Sequence, residues 1–272
     1  MEKKKIRINK FIAEAGICSR READKLIGQG FVTINGSFAA AGDRVDETDV
    51  VMVRGKRISG GQPRVVLAYY KKVGITCTER DLYAKKTVIQ DLNYPVRVTY
   101  AGRLDKESEG LLLMTNDGSL IQGLMRAANY HEKEYIVKVR EDITPEFLEG
   151  MRKPVYLKEL EKTTRPCKVE QMGKNTFSII LTQGLNRQIR RMCLVFGYHV
   201  KQLKRIRIAD IRLEGLKPGE YRRLTEEELE RLYKRTGTKG EENESGKQDE
   251  RINQAVEPGS KGLLCPGSAD YQ

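Results

Sequence analysis

The sequence has few of the residues from which metal sites and disulfide frameworks are built. Among 272 residues there are two histidines and five cysteines, and the cysteines are scattered singly along the chain. No two cysteines form a C-x-x-C pair, and an odd number cannot all pair within one chain, so neither a zinc site nor a disulfide framework is indicated. This pattern predicts a reduced, cytoplasmic protein without a metal.

Long apolar runs and nucleotide-binding loops are also missing. No uninterrupted apolar stretch approaches the roughly 18 residues that a membrane helix needs. The opening segment, MEKKKIRINKF, is basic but leads into no apolar segment of a signal peptide, so no secretory leader is predicted. Neither a G-x-G-x-x-G nor a Walker loop occurs, which argues against a nucleotide cofactor. We therefore predict no cofactor and no membrane partner.

Positive charge is what the chain has in excess, with a net charge of +12. Residues 237–272 are rich in Gly, Ser, Glu and Gln, and they hold four basic and seven acidic residues, a net of −3. This composition predicts a disordered C-terminal tail. The remaining chain therefore carries +15, which favours an anionic partner, and nucleic acid above all. A merely basic soluble enzyme would have the same composition, so the motifs must decide.

Residues 1–60 have the pattern of a compact unit with two helices followed by short strands. Apolar residues at helical spacing mark the first helix: Ile8, Phe11, Ile12 and Ala15. Ser19 and Glu22 form the capping-box pattern that begins a second helix, and the pair Asn35-Gly36 predicts a hairpin turn. The segment SGGQPR, residues 59–64, is typical of a linker.

This unit carries basic residues at positions that the helical pattern leaves exposed: Arg7, Lys10, Arg20, Arg21 and Lys25. Arg20 and Arg21 open the second helix, where backbone N–H groups and the helix dipole favour a phosphate. A solvated charged face would explain the same pattern equally well. The segment RINKFIAEAGICSRREADKLIGQGFVTING, with GDRV after it, closely resembles the RNA-binding domain named after small-subunit ribosomal protein four. That resemblance implies a helix-rich module that binds structured RNA through its backbone and shape.

Residues 65–236 mix predicted strands and helices without a regular βαβ alternation. β-branched and aromatic runs such as VVLAYYKK and KEYIVKVR predict strands. Thr144 and Pro145 begin a predicted helix, and Gly197 ends another. The pattern predicts an α+β protein in which a small helix-rich domain precedes a domain built on a mixed, mainly antiparallel sheet with flanking helices.

The segment AGRLDKESEGLLLMTNDG, residues 101–118, contains the strongest candidate for chemistry. Arg103 and Lys106 lie close to Asp105, and a neighbouring cation keeps a carboxylate ionised, as a nucleophile or a base requires. Asp beside Arg is also common in surface turns, so these neighbours alone do not identify a site. The apolar run that follows predicts a buried strand, which would hold the loop rigid.

This segment is similar to the signature loop of pseudouridine synthases of the RsuA/RluB/RluF group, whose catalytic residue is the aspartate of G-R-L-D. Two further segments match the group in the same order: HEKEYIVKV resembles its K-x-Y segment, and GLNRQIRRM resembles its R-Q-I-R helix. YYKKVGITCT corresponds to its K-P-x-G segment, with Lys72 in place of the proline. Within the group, the segments are most similar to the RluF branch, which acts on large-subunit ribosomal RNA.

The resemblance implies a role for each matched residue. Asp105 would attack the ribose C1′ or remove a 2′ proton, and Tyr135 would stack on a uracil flipped out of the folded RNA. Arg190 would pair with Asp105 and keep it ionised. Without the resemblance, Tyr135 would be a core residue and Arg190 an exposed helical one. Other residues of the motifs are expected to contact RNA: Arg103, Lys133, Asn186, Arg187 and Arg191.

Three other charged residues near the motifs are not expected to take part in the chemistry. His131 is expected to be structural or to face phosphate, and Lys71 and Lys72 are expected to be solvated.

The predicted activity is isomerisation of a specific uridine in large-subunit (23S) ribosomal RNA to pseudouridine, by a monomer without a cofactor. Two alternatives stay open. One is a non-catalytic RNA-binding or ribosome-assembly factor, and the other is the same reaction on small-subunit ribosomal RNA or transfer RNA.

Overall fold

A computed structural model describes residues 5–78, 86–126 and 130–238. Of the predicted C-terminal tail, only residues 237 and 238 fall within these ranges, and the others lie outside the described residues. None of the helices in these ranges combines the length and the apolarity that a bilayer crossing demands.

The N-terminal part is a helical pair packed on a small sheet. Its elements are β1 (Ile6–Arg7), α1 (Ile8–Glu14), α2 (Arg20–Gly28), β2 (Val32–Ile34), β3 (Ser37–Phe38), β4 (Arg44–Val45), β5 (Val51–Val53) and β6 (Lys56–Ile58). Strands β2, β3, β5 and β6 form a sheet in the order β3-β2-β5-β6, and β1 pairs with β4. The predicted cap is confirmed, because the Ser19 side chain accepts a hydrogen bond from the Glu22 N–H. The predicted hairpin turn is confirmed as well, with positive φ at Asn35 and Gly36.

The larger part contains a nine-stranded sheet with helices on both faces. Its elements are β7 (Val66–Lys71), α3 (Val88–Leu92), β8 (Thr99–Ala101), β9 (Glu109–Thr115), α4 (Gly118–Met125), β10 (Lys133–Val139), α5 (Pro145–Arg152), β11 (Tyr156–Leu157), β12 (Lys162–Thr163), β13 (Lys168–Gly173), β14 (Thr176–Leu181), α6 (Gln188–Val195), β15 (Val200–Ile208), β16 (Ile211–Arg212), β17 (Tyr221–Arg223) and α7 (Glu226–Thr236). A short 3-10 helix spans Lys158–Leu160, between β11 and β12, and β11 and β12 pair outside the large sheet.

The strand order of the large sheet confirms the predicted fold class. The order is β13-β14-β10-β15-β9-β7-β17, with β16 paired to β15 and β8 to β9. Among these described strands, β15 and β9 run parallel, and every other pair runs antiparallel. The domain is therefore α+β with a mixed, mainly antiparallel sheet, as the absence of a βαβ alternation predicts.

Strand β9 lies in the middle of the sheet, and both of its faces are covered. Leu111 and Leu113 pack in a cluster with α4 and α7, whereas Leu112 and Met114 pack in a second cluster with α3. Burial on both faces requires apolar residues at successive positions, which explains the uninterrupted run GLLLMT. The loop that precedes β9 is thus attached to one of the best-packed strands of the domain.

The parallel pairing of β9 with β15 depends on Gly110. Its φ is +108°, and a Cβ placed there would lie 2.2 Å from the carbonyl oxygen of Arg205. Only glycine permits this approach of two backbones. The register continues across the sheet, since Gly110 is also opposite Lys71 of β7, and Arg205 is opposite Tyr135 of β10. One row across the sheet therefore holds Lys71, Gly110, Arg205 and Tyr135.

Candidate active site

A cleft of about 330 Å³ lies at the Arg205 and Tyr135 end of this row, and seven of the predicted site residues line it. They are Arg103, Asp105, Lys133, Tyr135, Asn186, Arg187 and Arg190. Three segments that are far apart in the sequence thus meet at one place: the loop before β9, strand β10 and the start of α6. Within the described ranges, Arg191 and the five basic residues of the N-terminal part are not among the residues that line this cleft.

The loop that carries Asp105 is fixed at its backbone and at one buried side chain. The Gly74 N–H donates to the carbonyl of Lys106 at 2.7 Å, and the Ser108 N–H donates to the carbonyl of Asp105 at 3.0 Å. The second of these bonds closes a tight turn directly after Asp105. Leu104, on the other side, is buried in the cluster that includes α3. The chain on both sides of the carboxylate is therefore held in place.

Three cationic side chains hold further backbone carbonyls of the same loop. The pairs are Arg205 Nη1 with the carbonyl of Arg103 (3.3 Å), Arg190 Nη2 with that of Glu107 (3.3 Å), and Lys71 Nζ with that of Ser108 (2.7 Å). Hydrogen bonds to charged donors are roughly twice as strong as neutral ones. With the Gly74 contact, four carbonyls between residues 103 and 108 are bound from three separate parts of the chain: residues 71–74, α6 and β15.

Lys71 differs from its predicted state, because it is fully buried and not solvated. Its strand, β7, is covered on both faces, and its ammonium group donates to the carbonyls of Ser108 and Lys72. Burial lowers the pKa of Lys71 to about 8, although the Asp105 carboxylate opposes this shift. The interpretation of Lys71 as a solvated charge was therefore wrong.

Lys72 stands where the family has a proline, and its side chain forms an ion pair with α3. Its ammonium group lies 3.4 Å from the carboxylate of Asp91, whose side chain is buried. Asp91 also accepts hydrogen bonds from Tyr69 and from Lys86. Burial opposes ionisation of Asp91, but the bonds from Lys86 and Tyr69 outweigh it and lower the pKa of this carboxyl group. The chain thus replaces the backbone restraint of proline with an ion pair to α3.

Among the described residues, the cation that forms an ion pair with Asp105 is Arg187, and not Arg190 as the resemblance implies. Arg187 Nη1 lies 4.0 Å from a carboxylate oxygen of Asp105, and its Nη2 lies 3.0 Å from Glu107 Oε2. Arg187 has a left-handed backbone conformation just before α6. Arg190, one turn later, donates to the carbonyls of Glu107 and Val200. It therefore acts on the backbone of the loop, while Arg187 lies beside the carboxylate.

Tyr135 is half-buried and lines the cleft from strand β10. Its side chain packs at the edge of two clusters, one with α5 and α6 and one with α3. It therefore combines the core position expected of a strand tyrosine with access to the cleft. Its neighbour on β15, in direct register, is Arg205.

Arg205 is a buried cleft residue that the motifs do not identify. It is 2% exposed, its Nε donates to the carbonyl of Leu111 at 2.7 Å, and its Nη1 donates to that of Arg103. Its Nη2 is buried and has no hydrogen-bond partner in the described structure. A signal was present in the sequence, since Arg205 follows the buried Leu203 by two residues, and such residues share one face of a strand. A basic residue on the buried face of a strand indicates a candidate functional residue.

Burial also lowers the pKa of two other cleft residues, Lys133 and His131. Burial, and then the nearby Arg205, lower the pKa of Lys133 to about 8. Burial lowers the pKa of His131, whose Nε2 lies 3.3 Å from the carbonyl of Gly123. A carbonyl only accepts hydrogen bonds, so Nε2 carries the proton of this imidazole. His131 is thus a buried residue tied to α4, as the structural interpretation predicts.

The other predicted RNA-binding residues lie outside the cleft. Arg191 is bound by Asn186 and by the carboxylate of Glu159. On α1, Lys10 pairs with Glu14 at 3.5 Å. The other basic residues of the N-terminal part that were predicted to bind RNA are exposed: Arg7, Arg20, Arg21 and Lys25.

In the described ranges, no group of three or more His, Cys, Asp or Glu side chains is arranged to hold a metal ion.

Comparisons with known proteins agree with this arrangement. The family model for RNA pseudouridylate synthases matches residues 65–194, and the model for the S4 domain matches residues 6–51. The dual-specificity RNA pseudouridine synthase RluF of Escherichia coli K12 is 47% identical over 231 residues, which cover 84% of this chain and 79% of the relative. The RluF of Salmonella typhi is 48% identical over 233 residues, covering 84% and 78%.

More distant relatives match over the same part of the chain. An uncharacterised RNA pseudouridine synthase of Aquifex aeolicus is 36% identical over 241 residues, which cover 86% of this chain and 96% of the relative. A crystal structure of a pseudouridylate synthase superposes with a TM-score of 0.62 at 28% identity, covering 84% of this chain and 99% of that one.

Proposed function

Because the chain belongs to the family of RNA pseudouridine synthases, enzymes that isomerise uridine in RNA, we propose that it modifies a specific uridine of large-subunit (23S) ribosomal RNA, with Asp105 as the catalytic residue. The observation that carries the assignment of Asp105 is the loop around it, with four backbone carbonyls bound from three parts of the fold. Such restraint is what a reactive group needs in order to meet its substrate in one geometry. A turn residue without a role would need no such support.

The proposed reaction divides the work among the cleft residues. The target uridine leaves its stack and enters the cleft, where the ring of Tyr135 stacks on the uracil. Asp105 attacks the ribose C1′ or removes the 2′ proton, and the bond from C1′ to uracil N1 breaks. The uracil turns and C5 bonds to C1′ while the bond from C1′ to Asp105 breaks or, on the other route, while C2′ takes its proton back from Asp105. The C5 proton then passes to a base, for which Tyr135 is the candidate, and N1 takes up a proton. No atom is gained or lost, so no cofactor is required.

The cations of the cleft have two tasks in this scheme. Arg187 lies beside the Asp105 carboxylate, whereas Arg190 and Lys71 hold the loop. Lys133 and Arg205 face the same cleft as Tyr135. A uracil detached at N1 is negatively charged, so these two cations would stabilise it in a place that excludes much of the solvent.

The RNA is held, in this proposal, by two domains. Residues 1–60 form the RNA-binding domain, which corresponds to the S4 match, and residues 65–236 form the catalytic domain. The basic residues of the N-terminal part (Arg7, Lys10, Arg20, Arg21 and Lys25) and the cleft residues Arg103 and Asn186 would contact phosphates. An enzyme of ribosomal RNA would act in the cytoplasm, and we propose that it does so as a monomer.

A second RNA substrate is favoured by one observation. The relatives with 47–48% identity are called dual-specificity RNA pseudouridine synthases. Transfer RNA, or small-subunit ribosomal RNA, would then be modified by the same cleft. The catalytic motifs do not choose between these RNAs, because they contact the uridine and its immediate phosphates only.

The target can be identified by mapping pseudouridines in a strain without this gene. Large-subunit ribosomal RNA, small-subunit ribosomal RNA and transfer RNA are compared with those of the parent strain. We expect at least one large-subunit site to disappear, and to return with a plasmid copy of the gene but not with its Asp105→Asn variant. Loss of a transfer RNA site alone would contradict the large-subunit assignment and leave the enzyme activity intact.

The pKa values of Lys71 and Lys133 predict a dependence of the reaction on pH. Burial lowers both values to about 8, so both groups are charged at pH 7 and lose their charge as the pH rises through 8. The neutral forms hold the loop and the uracil less strongly, so we expect the single-turnover rate to fall between pH 7 and 9. Initial rates across this range measure the effect.

The comparison with Lys133→Met separates this effect from titration of the RNA. The variant is slower at pH 7, and it has one group fewer to titrate, so its rate should fall less between pH 7 and 9. A wild-type rate that is flat across this range, or a variant with the same relative decline, would contradict the assignment.

A further inference from the structure

The outer face of the N-terminal sheet carries aromatic side chains that the fold does not use. Along β5, Val51 and Val53 point inward and are buried, while Met52 between them points outward. The register places Thr33 of β2 opposite both Met52 and Phe38, so Phe38 lies on the outer face too. Helices α1 and α2 pack on the inner side, where their apolar residues join Val51 and Val53 in one cluster.

Two phenylalanines on this face are largely exposed: Phe38 at 78% and Phe31 at 46%. Phe38 lies over Gly30, so that a Cβ at Gly30 would be 4.0 Å from its ring. The guanidinium of Arg54 lies 5.4 Å from the centroid of the Phe31 ring, and the Arg54 N–H donates to the Phe31 carbonyl at 2.8 Å. We call Phe31, Phe38, Met52 and Arg54 the outer-face platform.

The two segments that form the platform carry charge of one sign only. Residues 51–58, VMVRGKRI, contain Arg54, Lys56 and Arg57 and no acidic residue. Residues 28–39, which contain both phenylalanines, hold no charged residue at all. Exposed aromatic rings with cations nearby are an arrangement that binds single-stranded nucleic acid, because a base stacks on a ring while a cation meets its phosphate.

We propose that the outer-face platform binds an unpaired base of the RNA by stacking on Phe38, with Arg54 at the adjacent phosphate. The proposal rests on RNA as the partner of the enzyme and adds a second RNA surface to it. The basic residues of α1 and α2 lie on elements packed against the inner side of the sheet, so the N-terminal domain would contact RNA on two sides. One surface meets phosphates, and the other holds a base.

The test compares two ten-nucleotide RNAs that contain no uridine, so that neither offers the catalytic cleft a target base. One is oligoadenosine, and the other has the same backbone with abasic riboses. The full chain should bind oligoadenosine about tenfold more tightly, since stacking on an aromatic side chain contributes roughly that much for one base. Phe38→Ala should remove this preference and leave affinity for the abasic RNA unchanged.

Two substitutions at Phe38 separate stacking from apolar contact. Phe38→Trp should keep the preference for oligoadenosine, whereas Phe38→Leu, which is apolar but has no ring, should lose it. The dependence of affinity on salt should be the same for all Phe38 variants, because no phosphate contact is removed. Arg54→Gln should instead make that dependence shallower. Tyr156→Ala is the matched control, since Tyr156 is 57% exposed on β11, away from the platform.

The outcomes decide the proposal in either direction. If Phe38→Ala binds oligoadenosine like the wild type, or weakens both RNAs equally, the platform does not bind a base, and a protein partner would remain as the explanation of the exposed rings. Equal melting temperatures of the variants exclude unfolding as a cause. Failure of the proposed function would look different: the wild type would form no pseudouridine in ribosomal RNA, whatever the Phe38 variants bind.

Discussion

Asp105→Asn is expected to abolish pseudouridine formation and to leave RNA affinity within about twofold of the wild type. Asparagine has the shape of aspartate, and the four contacts to the loop are to backbone carbonyls of other residues, so the loop should keep its conformation. The amide can neither accept the 2′ proton nor form an ester at C1′. Loss of a catalytic acid–base group alone costs roughly 10²–10⁴-fold, and we expect at least about 10³-fold.

The measurement is the single-turnover rate on ribosomal RNA, with affinity measured in parallel by filter binding. Asp142→Asn is the matched control, because Asp142 is an exposed carboxylate paired with Lys174 and lies outside the cleft. It should react at the wild-type rate. An Asp105→Asn enzyme that retained a tenth of the activity, with the asparagine intact by mass spectrometry, would remove Asp105 from the chemistry.

Local patterns predicted most of the fold. The caps at Ser19 and Thr144 are where the sequence places them, because the bonds that form them join residues only three positions apart. Strand β9 could be predicted as buried, since a run of apolar residues without alternation indicates burial on both faces. The order of the strands could not be read in the same way, because it depends on which distant segments pair.

For the site, too, the sequence predicts what depends on local motifs but not what depends on contacts between distant residues. The family motifs bring Asp105, Tyr135 and Arg190 to one cleft, as predicted. The partners within that cleft depend on contacts that no local pattern contains. Lys71 binds a carbonyl 37 residues away, and Arg205 binds one 102 residues away, so neither contact could be inferred from neighbouring residues.

The placement of Arg187, and not Arg190, beside the Asp105 carboxylate has a similar cause. Both arginines belong to the R-Q-I-R segment, and their spacing along a helix would place them about one turn apart. The left-handed conformation of Arg187 puts it outside the regular helix, beside the carboxylate of Asp105. Such a conformation is uncommon for a residue other than glycine, and the sequence gives no sign of it.

Arg205→Met is expected to lower the single-turnover rate about a hundredfold, with a smaller change in KM. Arg205 acts in part as a positioning residue, because its Nη1 holds the carbonyl of Arg103, two residues before Asp105. A shift of the carboxylate by about 1 Å would be enough for such a loss of rate. The carbonyls of Arg103 and Leu111, the second of them in a buried hydrogen bond, would also lose a donor, so the melting temperature should fall.

Two further variants separate positioning from a general loss of stability. Arg205→Lys keeps the charge, but a single ammonium group cannot replace the guanidinium at both carbonyls, so its rate should stay far below that of the wild type. Arg207→Met is the matched control, because Arg207 lies two residues along β15 and binds Glu132 and Glu134 outside the cleft. It should lower the melting temperature with little change in the rate. If Arg207→Met slowed the reaction as much as Arg205→Met, the loss would come from a weakened strand and not from the position of Asp105.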